Sequence, residues 1–264
     1  MKEFKNKNEW ALILGGSSGL GLATAKKLAK HGLNICIVHR NSRMQEDDII
    51  KEFMAIKKEG VQFISFNTDA FKAEKREKVI VELKALFQTK QKIRILVHSV
   101  AKGNLKPMVS DGRQELKQDD FLVTINAMGI SLYDWTKALF EANLFAEDSR
   151  IISFTSEGNT KAWKNYGAVS AAKVTLEAIT RNIALEFAPF GIKANCIQAG
   201  VTDTASLRMI PGSETIIELS LKRNPNKRLT LPEDVANAVY LLSKDEAAWI
   251  TGAIIPVDGG EHLS

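Results

Sequence analysis

Three side chains suited to proton exchange and charge stabilisation lie close together in the sequence. Ser156 ends the apolar run "RIISFTS", and Tyr166 and Lys173 follow in "KNYGAVSAAK". At about 100 degrees per residue, the spacing of seven residues between Tyr166 and Lys173 turns through about 700 degrees, which returns both side chains to one helix face. A phenol hydroxyl donates a hydrogen bond to a developing oxyanion, and a nearby ammonium group lowers the pKa of the phenol. The stretch therefore predicts a site that stabilises negative charge on a substrate oxygen.

A glycine-rich stretch, "GGSSGLG", follows the first apolar run and opens a helix pattern. Its glycines permit a tight turn and a close approach of the backbone to a pyrophosphate, which then lies at the positive end of the helix among free N–H groups. Glycine and serine also mark ordinary turns, but the strand before and the helix after favour phosphate binding. We therefore expect a dinucleotide here, contacted by Gly15, Ser17, Ser18, Gly19, Leu20 and Gly21.

The second apolar run ends in basic residues, "VHRNSR", with no acid before Glu46. NAD enzymes usually carry a carboxylate here for the adenosine ribose, whereas a guanidinium binds a 2'-phosphate through charge-assisted hydrogen bonds. Arg40 therefore predicts NADPH as the cofactor, and a solvated basic turn is the alternative. Further along, in "FNTDAF", Asp69 and Ala70 are assigned to the adenine end, where Asp69 accepts a hydrogen bond; a helix cap is the alternative for Asp69.

A sheet must position these residues, and the sequence predicts one. Seven short apolar runs alternate with amphipathic segments: "WALILGG", "LNICIVHR", "VQFISFN", "IRILVHS", "RIISFTS", "IKANCIQ" and "GAIIPVDGG". Parallel strands that are covered on both faces have continuous apolar runs. We expect one α/β domain over 1–264, with a doubly wound, seven-stranded parallel sheet and helices on both faces. The irregular region 201–229 follows the sixth run, so it is a predicted substrate lid over the crevice.

The composition argues against several other classes of protein. The 36 Lys and Arg residues against 31 Asp and Glu give a net charge of +5, which is too dispersed to predict nucleic-acid binding. Cys36 and Cys196 lie inside apolar runs as expected for buried thiols, and no Cys/His spacing predicts a metal site. No apolar run reaches the roughly 18 residues of a membrane span, and the first residues are polar. We expect a cytoplasmic protein with no membrane or nucleic-acid partner.

With the glycine loop, Ser156, Tyr166 and Lys173 in this order, the chain resembles the short-chain dehydrogenase/reductase superfamily over nearly its whole length. Ordinary members have Tyr-x3-Lys, but the Tyr-x6-Lys spacing here is similar to the divergent enoyl-acyl-carrier-protein reductases of bacterial type II fatty-acid synthesis. "LVHSVAKG" after the fourth run and Ala199–Gly200 in "QAGVTDT" after the sixth are also similar to those enzymes. Ser156 stands where many of them have a second tyrosine, so the chain looks closest to a branch that prefers NADPH.

The resemblance implies NADPH-dependent reduction of the α,β double bond of an enoyl thioester, carried by acyl carrier protein or coenzyme A. Charge moves to the carbonyl oxygen when hydride reaches the β-carbon, and there Tyr166 donates a hydrogen bond while Ser156 adds a second donor. Lys173 is implied to bind the nicotinamide ribose. The resemblance also implies a homotetramer, with subunit contacts around 116–142 and 165–187. The implied cofactor contacts beyond the fourth and sixth strands are Ser99, Val100, Ala101, Gly200 and Thr202.

Several other residues have two interpretations. Asn126 matches the helix asparagine that ordinary members use to hold a water, or it supports a helix bend. His98, Trp135 and Trp163 are predicted to be packing residues. Six apolar residues of region 201–229 line an acyl tunnel or form the core face of a helix: Leu207, Met209, Ile210, Ile216, Ile217 and Leu219. Five basic residues dock an acidic carrier protein or are solvated: Arg208, Lys222, Arg223, Lys227 and Arg228.

Two rival functions remain open at this point. A 3-ketoacyl or general carbonyl reductase is supported by Ser156 and Asn126 and opposed by the Tyr-x6-Lys spacing. A non-catalytic NADPH-sensing protein is opposed by the presence of Ser156, Tyr166 and Lys173 together. The longer spacing itself has a chemical interpretation, because the oxyanion of enoyl reduction lies two bonds from the carbon that takes hydride. A tyrosine shifted toward the helix N-terminus would reach that oxygen.

Overall fold

A seven-stranded parallel β-sheet forms the centre of the molecule, in a computed structural model that describes residues 3–5, 7–88, 90–112 and 114–264. The strand order is β3-β2-β1-β4-β5-β6-β7. Each of the seven apolar runs overlaps one strand, although β5 begins five residues before its run, so the predicted doubly wound α/β fold is confirmed. The strands are β1 (Glu9–Leu14), β2 (Asn34–His39), β3 (Phe63–Asn67), β4 (Lys92–His98), β5 (Phe145–Ser156), β6 (Ile192–Ala199) and β7 (Ile254–Val257).

Helices cover both faces of the sheet. One face packs against α1 (Gly19–Lys30), α2 (Glu46–Lys57) and α9 (Pro232–Ser243). The other packs against α3 (Ala73–Phe87), α5 (Ser131–Glu141) and α6 (Gly167–Glu186). A π-helical turn, Asn126–Ile130, joins α4 (Gln118–Ile125) to α5, and the short α7 (Ala205–Arg208) and α8 (Ser213–Arg223) lie in the predicted lid region.

The central strands are apolar on both sides because both sides are buried. Along β1, Ala11 and Ile13 join the core beneath one helix layer, whereas Leu12 and Leu14 join the core beneath the other. Side chains of a strand alternate between its two faces, so a strand covered twice needs an unbroken apolar run. This alternation explains why the runs alone identified the strands.

The strand order reverses direction between β1 and β4, because β2 and β3 lie on one side of β1 and the later strands lie on the other. Loops that leave the carboxyl ends of such strands turn apart and open a crevice. Gly15 follows β1, Ser99 follows β4 and Gly200 follows β6, while Ser156 is the last residue of β5. The fold therefore brings every part of the predicted site to one edge of the sheet.

Gly191 makes a close backbone contact just before β6. Its φ is +76°, and a Cβ built there would lie 1.7 Å from the carbonyl oxygen of Glu147. We expect Gly191→Ala to lower the free energy of unfolding by more than about 3 kcal/mol, because the left-handed conformation costs about 1–2 kcal/mol and the clash adds to it. Gly60→Ala is the matched control, since Gly60 has φ +78° and no atom within 4 Å of the built Cβ. Urea denaturation measures both variants, and equal losses would contradict the steric explanation.

Candidate active site

A cavity of about 650 Å³ opens at the carboxyl edge of the sheet. The glycine loop, the ends of β4, β5 and β6, the start of α6 and the first part of region 201–229 supply its walls. Gly21 and Asp69 are the two predicted cofactor contacts that do not line it. Those that do are Gly15, Ser17, Ser18, Gly19, Leu20, Arg40, Ala70, Ser99, Val100, Ala101, Lys173, Gly200 and Thr202.

The glycine loop makes close backbone contacts with the loop after β4 and within itself. A Cβ built on Gly15, whose φ is +82°, would lie 2.2 Å from the carbonyl oxygen of Ser99. A Cβ on Gly21 would lie 2.3 Å from the carbonyl oxygen of Gly15. A side chain on Gly15 would push the two loops apart, and one on Gly21 would push the start of α1 away from the glycine loop, so the sequence needs glycine at both. Gly21 thus serves the site by packing behind the loop.

The start of α1 is suited to an anion. Ser18 is the N-cap residue, but its side chain makes no capping hydrogen bond. The first turn of the helix carries no acidic residue, and Gly19 has φ +53° with only the Thr204 side chain within 4 Å of a built Cβ. Free N–H groups and the helix dipole favour a phosphate at such a terminus. These residues therefore fit the pyrophosphate of a dinucleotide.

Arg40 stands at the rim of the cavity beside Asp69. Its Nη1 lies 2.8 Å from Asp69 Oδ2, and its side chain is 64% exposed. The other carboxylate oxygen of Asp69 accepts a hydrogen bond from the backbone N–H of Phe71 at 3.1 Å. Asp69 therefore holds the turn after β3 and orients Arg40. The predicted alternative of a helix cap is wrong, because α3 begins later, at Ala73, with Lys72 as its N-cap residue. Arg43 lies outside the cavity wall, in an exposed 3-10 turn.

The structure brings the three predicted catalytic side chains together in the cavity wall. Ser156 ends β5, Tyr166 precedes the first residue of α6, and Lys173 lies two turns into that helix. The hydroxyl oxygens of Ser156 and Tyr166 are 3.4 Å apart. Lys173 Nζ donates a hydrogen bond to the carbonyl oxygen of Phe154 at 2.6 Å. Tyr166 and Lys173 thus share one face of α6, as the seven-residue spacing predicted.

Burial moves the pKa of Tyr166 further above neutral pH. Removal from water raises the pKa of the Tyr166 hydroxyl, and the hydrogen bond with Ser156 offsets part of that rise. The net direction is upward, and the groups that set it are the buried surroundings and Ser156 rather than Lys173. Tyr166 is therefore neutral at pH 7. A neutral phenol can donate a hydrogen bond to a substrate oxygen.

Lys173 is a buried cation with an altered pKa. Desolvation lowers the pKa of its ammonium group to about 8, and the charge of Glu177 opposes that shift. Glu177 lies one turn further along α6 and is itself buried. Its Oε1 accepts hydrogen bonds from Thr155 Oγ1 and Asn159 Nδ2, both at 2.5 Å. Glu177 therefore ties α6 to the residues on either side of Ser156.

Of the three predicted packing residues His98, Trp135 and Trp163, two are buried away from the cavity and one lines it. His98 is buried, its Nε2 lies 2.8 Å from Ser131 Oγ, and burial lowers its pKa to about 3. Trp135 is buried and donates its indole N–H to the carbonyl oxygen of Ala70 at 2.9 Å. These two residues are packing residues, as predicted. Trp163 instead lines the cavity, with its ring centroid 5.7 Å from that of Tyr166.

Asn126 begins the π-helical turn between α4 and α5 and has an exposed side chain. The same turn brings Gly129 against α6, where a Cβ built on Gly129 would lie 3.0 Å from Thr175 Cγ2. π-Helical turns bend helices and are common at functional sites. The placement fits the predicted role of Asn126 in a helix bend, and the side chain itself does not line the cavity.

Region 201–229 divides its side chains between the cavity and the surface. Leu207, Met209 and Ile210 line the cavity, whereas Ile216 and Ile217 pack against the cluster around Tyr166. Leu219 is 56% exposed. The predicted apolar wall is therefore supplied chiefly by α7 and the residues just after it.

The basic residues of the same region are largely paired. Arg208 forms a salt bridge with Asp203 at 2.8 Å, and Arg228 forms one with Asp234 at 2.6 Å. Lys227 donates a hydrogen bond to the carbonyl oxygen of Lys222. Arg223 alone of these residues points inward, toward Glu157 and Glu261.

Sequence reasoning missed three acids in the cavity wall, Glu157, Asp258 and Glu261. Glu157 directly follows the predicted catalytic residue Ser156, and this position in the sequence could have indicated that it lies at the site. Asp258 and Glu261 lie near the end of the chain, beyond β7, and only the folded sheet brings them to the site. Asp258 accepts hydrogen bonds from the backbone N–H groups of Gly260 and His262 and so shapes the final turn.

Two kinds of feature are absent from residues 3–5, 7–88, 90–112 and 114–264. Within these ranges, no group of three or more His, Cys, Asp or Glu side chains could hold a metal ion. No helix in the same part of the chain is long and apolar enough to cross a membrane.

A family sequence model with the description "Enoyl-(Acyl carrier protein) reductase" matches residues 15–262. The chain belongs to the enoyl-(acyl carrier protein) reductase family. This family lies within the short-chain dehydrogenase/reductase superfamily, so the resemblance seen in the sequence is confirmed. The match begins at Gly15 and includes the glycine loop and all three predicted catalytic residues.

Relatives of this enoyl reductase family member carry more than one name. The chain is 28% identical over 261 residues to a tropinone reductase homolog of Arabidopsis thaliana, covering 98% of this chain and 94% of the relative. It is 26% identical over 268 residues to an enoyl-(acyl-carrier-protein) reductase (NADH) of Enterococcus faecalis, covering 98% and 99%. A crystal structure of enoyl-(acyl-carrier-protein) reductase (NADH) from Aquifex aeolicus matches with a TM-score of 0.85 at 22% identity, over 99% and 98% of the two chains.

Proposed function

We propose that this protein reduces the α,β double bond of an enoyl thioester with NADPH, as an enoyl-acyl-carrier-protein reductase of fatty-acid synthesis. The observation that carries the proposal is the Tyr-x6-Lys pair, whose two side chains line one cavity together with Ser156 and the glycine loop. Membership of the family supports it. The proposed substrate is an acyl thioester on acyl carrier protein or coenzyme A, and the proposed assembly is a cytoplasmic homotetramer.

A bound nicotinamide dinucleotide supplies the hydride in this proposal. Tyr166, which is neutral at pH 7, donates a hydrogen bond to the thioester carbonyl oxygen as that oxygen becomes an enolate. Ser156 is close enough to Tyr166 to add a second donor or to orient the phenol. Lys173 presents its ammonium group to the cofactor ribose, and the apolar side chains Leu207 and Ile210 exclude water from the same cavity.

The proposed preference for NADPH rests on Arg40 and on the absence of a carboxylate at the end of β2. We expect Arg40→Gln to raise the KM for NADPH by about 10- to 100-fold, because a charge-assisted hydrogen bond to phosphate contributes about 1.5–3 kcal/mol. NADH lacks the 2'-phosphate and is the internal control, so its KM should change little. Steady-state kinetics with both cofactors checks this. Equal changes for NADPH and NADH would contradict a phosphate contact.

The pH dependence of kcat/KM for NADPH should follow the deprotonation of Lys173. Because desolvation lowers the pKa of Lys173 to about 8, its positive charge is complete below about pH 7 and is lost as the pH rises through 8. We expect kcat/KM for NADPH to be flat at pH 6–7 and to fall by up to about tenfold per pH unit above pH 8, since this parameter reports groups of the free enzyme. A profile that stays flat to pH 10 would show that the charge of Lys173 is not required.

The deciding experiment compares NADPH consumption with an enoyl thioester and with a 3-ketoacyl thioester. Turnover of the enoyl substrate alone supports the proposal. Turnover of the ketone alone would contradict it and favour a 3-ketoacyl or general carbonyl reductase, which the Ser156–Tyr166 contact of 3.4 Å also suits. Tight NADPH binding with no turnover of either substrate would favour an NADPH-sensing protein.

A further inference from the structure

Arg223 joins three segments that are distant in the sequence. It is the last residue of α8, and its Nη2 donates hydrogen bonds to Glu157 Oε2 and Glu261 Oε1, each at 2.6 Å. Glu157 directly follows Ser156, and Glu261 begins the final 3-10 turn of the chain. One nitrogen of one guanidinium therefore holds the predicted lid, the turn after β5 and the C-terminal turn together.

This cluster is much less exposed than the other arginine pairs of region 201–229. The side chains of Arg223, Glu157 and Glu261 are 28%, 14% and 3% exposed. Those of the Arg208–Asp203 pair are 71% and 44% exposed. Exposed pairs contribute little, whereas removal of one partner from a buried pair leaves an uncompensated charge. Loss of Arg223 should therefore have consequences that loss of Arg208 would not have.

The carboxylates that Arg223 binds face the cavity, whereas Arg223 itself lies outside the cavity wall. Glu157 and Glu261 line the cavity wall, but Arg223 does not. Arg223 can therefore affect a bound substrate only indirectly, through Glu157 and Glu261. α8 also packs Ile216 and Ile217 against the cluster around Tyr166, so the contact of Arg223 with Glu157 is a second attachment of α8 to the cavity wall.

Ser156 is held on both sides by ionisable groups of different helices. Thr155, the residue before it, donates a hydrogen bond to Glu177 of α6. Glu157, the residue after it, accepts one from Arg223 of α8. The contact between the Ser156 and Tyr166 oxygens, at 3.4 Å, is longer than the usual 2.5–3.0 Å of O–H···O hydrogen bonds. A small shift of the turn at Glu157 would therefore change the distance between these two hydroxyls.

We propose that Arg223 is a positioning residue, which couples the docking of α8 over the cavity to the placement of Ser156 beside Tyr166. When α8 is docked, Arg223 holds Glu157 and Glu261 together and fixes the turn after β5. Without its charge, Glu157 keeps only its ion pair with Lys161 at 2.5 Å, and Glu261 Oε1 loses its donor. The two carboxylates then repel each other, so that the turn and Ser156 move. The coupling to catalysis rests on the proposed function, whereas the docking of α8 does not.

The first test measures docking without any substrate. Hydrogen–deuterium exchange of the α8 peptide is compared among wild type, Arg223→Gln and Arg228→Gln. Arg228 is the matched control, because it lies in the same region and pairs with Asp234 outside the cavity wall. We expect exchange at α8 to accelerate by about tenfold or more in Arg223→Gln and to stay within about twofold in Arg228→Gln. Equal rates in the two variants would overturn the proposal.

The second test measures coupling to Ser156, with an enoyl-coenzyme A substrate. We expect Arg223→Gln to lower kcat by about tenfold in the wild-type background and by less than about twofold in the Ser156→Ala background, because residues that act through one another are not additive. Additive losses would overturn the coupling. Arg223→Lys keeps the charge and one hydrogen bond, so partial recovery of kcat is expected, and this variant replaces Arg223→Gln if the latter fails to fold.

The two proposals can fail separately. If the wild-type protein reduces no enoyl thioester, the proposed function is lost, and the exchange measurement still decides whether Arg223 docks α8. If the wild type is active but α8 exchanges at the same rate in Arg223→Gln and Arg228→Gln, the role of Arg223 is lost and the proposed function stands.

Discussion

Tyr166→Phe is expected to lower kcat for an enoyl thioester by at least about 100-fold, since removal of one oxyanion donor typically costs 10²–10³ in rate. The phenol is buried and neutral, and its oxygen is the polar atom that α6 presents beside Ser156. Phe keeps the ring and its packing against Trp163, so the cavity should keep its shape. Affinity for NADPH, measured by fluorescence titration, should stay within about twofold, because the lost hydroxyl acts on the substrate.

Tyr133→Phe is the matched control for that variant. Tyr133 lies on α5, is 42% exposed and does not line the cavity, so its hydroxyl should have no effect on kcat. If Tyr166→Phe kept more than about a fifth of the wild-type kcat, the phenol could not be the principal donor to the enolate. The Ser156 hydroxyl would then be the group to examine.

Lys173→Met is expected to remove activity without weakening the fold. The ammonium group is buried, and desolvation lowers its pKa from 10.5 to about 8. Keeping this buried amine protonated lowers the free energy of unfolding. At pH 7, which is below both the unfolded pKa of 10.5 and the folded pKa of about 8, the loss is about 3 kcal/mol. Methionine removes the charge but leaves the Phe154 carbonyl without its donor, which costs about 1–3 kcal/mol. The free energy of unfolding should therefore stay equal within about 1 kcal/mol or rise.

The same variant should lower kcat/KM for NADPH by at least about 100-fold, because the charge proposed to hold the ribose is gone. Urea denaturation at pH 7 and steady-state kinetics measure the two effects on one preparation. In the wild type, the stability cost should disappear as the pH rises from 8 to 10.5, since the folded protein then loses the proton first. A fall of more than about 2 kcal/mol in the stability of Lys173→Met would show instead that Lys173 supports the fold.

Much of the architecture could be predicted because its cause is local. Both faces of the central strands are covered, so apolar runs alone identify β1 to β7. The positions of Ser156 and the glycine loop also follow from order along the chain, because parallel strands place their carboxyl ends at one edge. Helix periodicity then places Tyr166 and Lys173 on one face.

The remaining features depend on contacts that sequence order does not reveal. Burial, rather than the charge of Lys173, sets the pKa of Tyr166, and burial is a property of the whole fold. Glu261 and Glu157 meet at Arg223 although they are far apart in the chain, and an acid in a turn looks like a solvated residue. Asp69 was open to two interpretations because its partner, Arg40, comes from a neighbouring strand end.

The glycine loop meets its neighbouring loop through backbone atoms, whereas the substrate side of the cavity is built from side chains of α7 and the residues after it. A close backbone contact allows only glycine, whereas buried apolar side chains such as Leu207 and Ile210 can be exchanged for others of similar volume at a cost below about 1.5 kcal/mol. Evolution can therefore alter the chemistry of the substrate and keep the nucleotide half intact. An engineer who exchanges Leu207, Met209 and Ile210 but keeps Thr202 and Arg223 should therefore alter the substrate specificity without disturbing the nucleotide half.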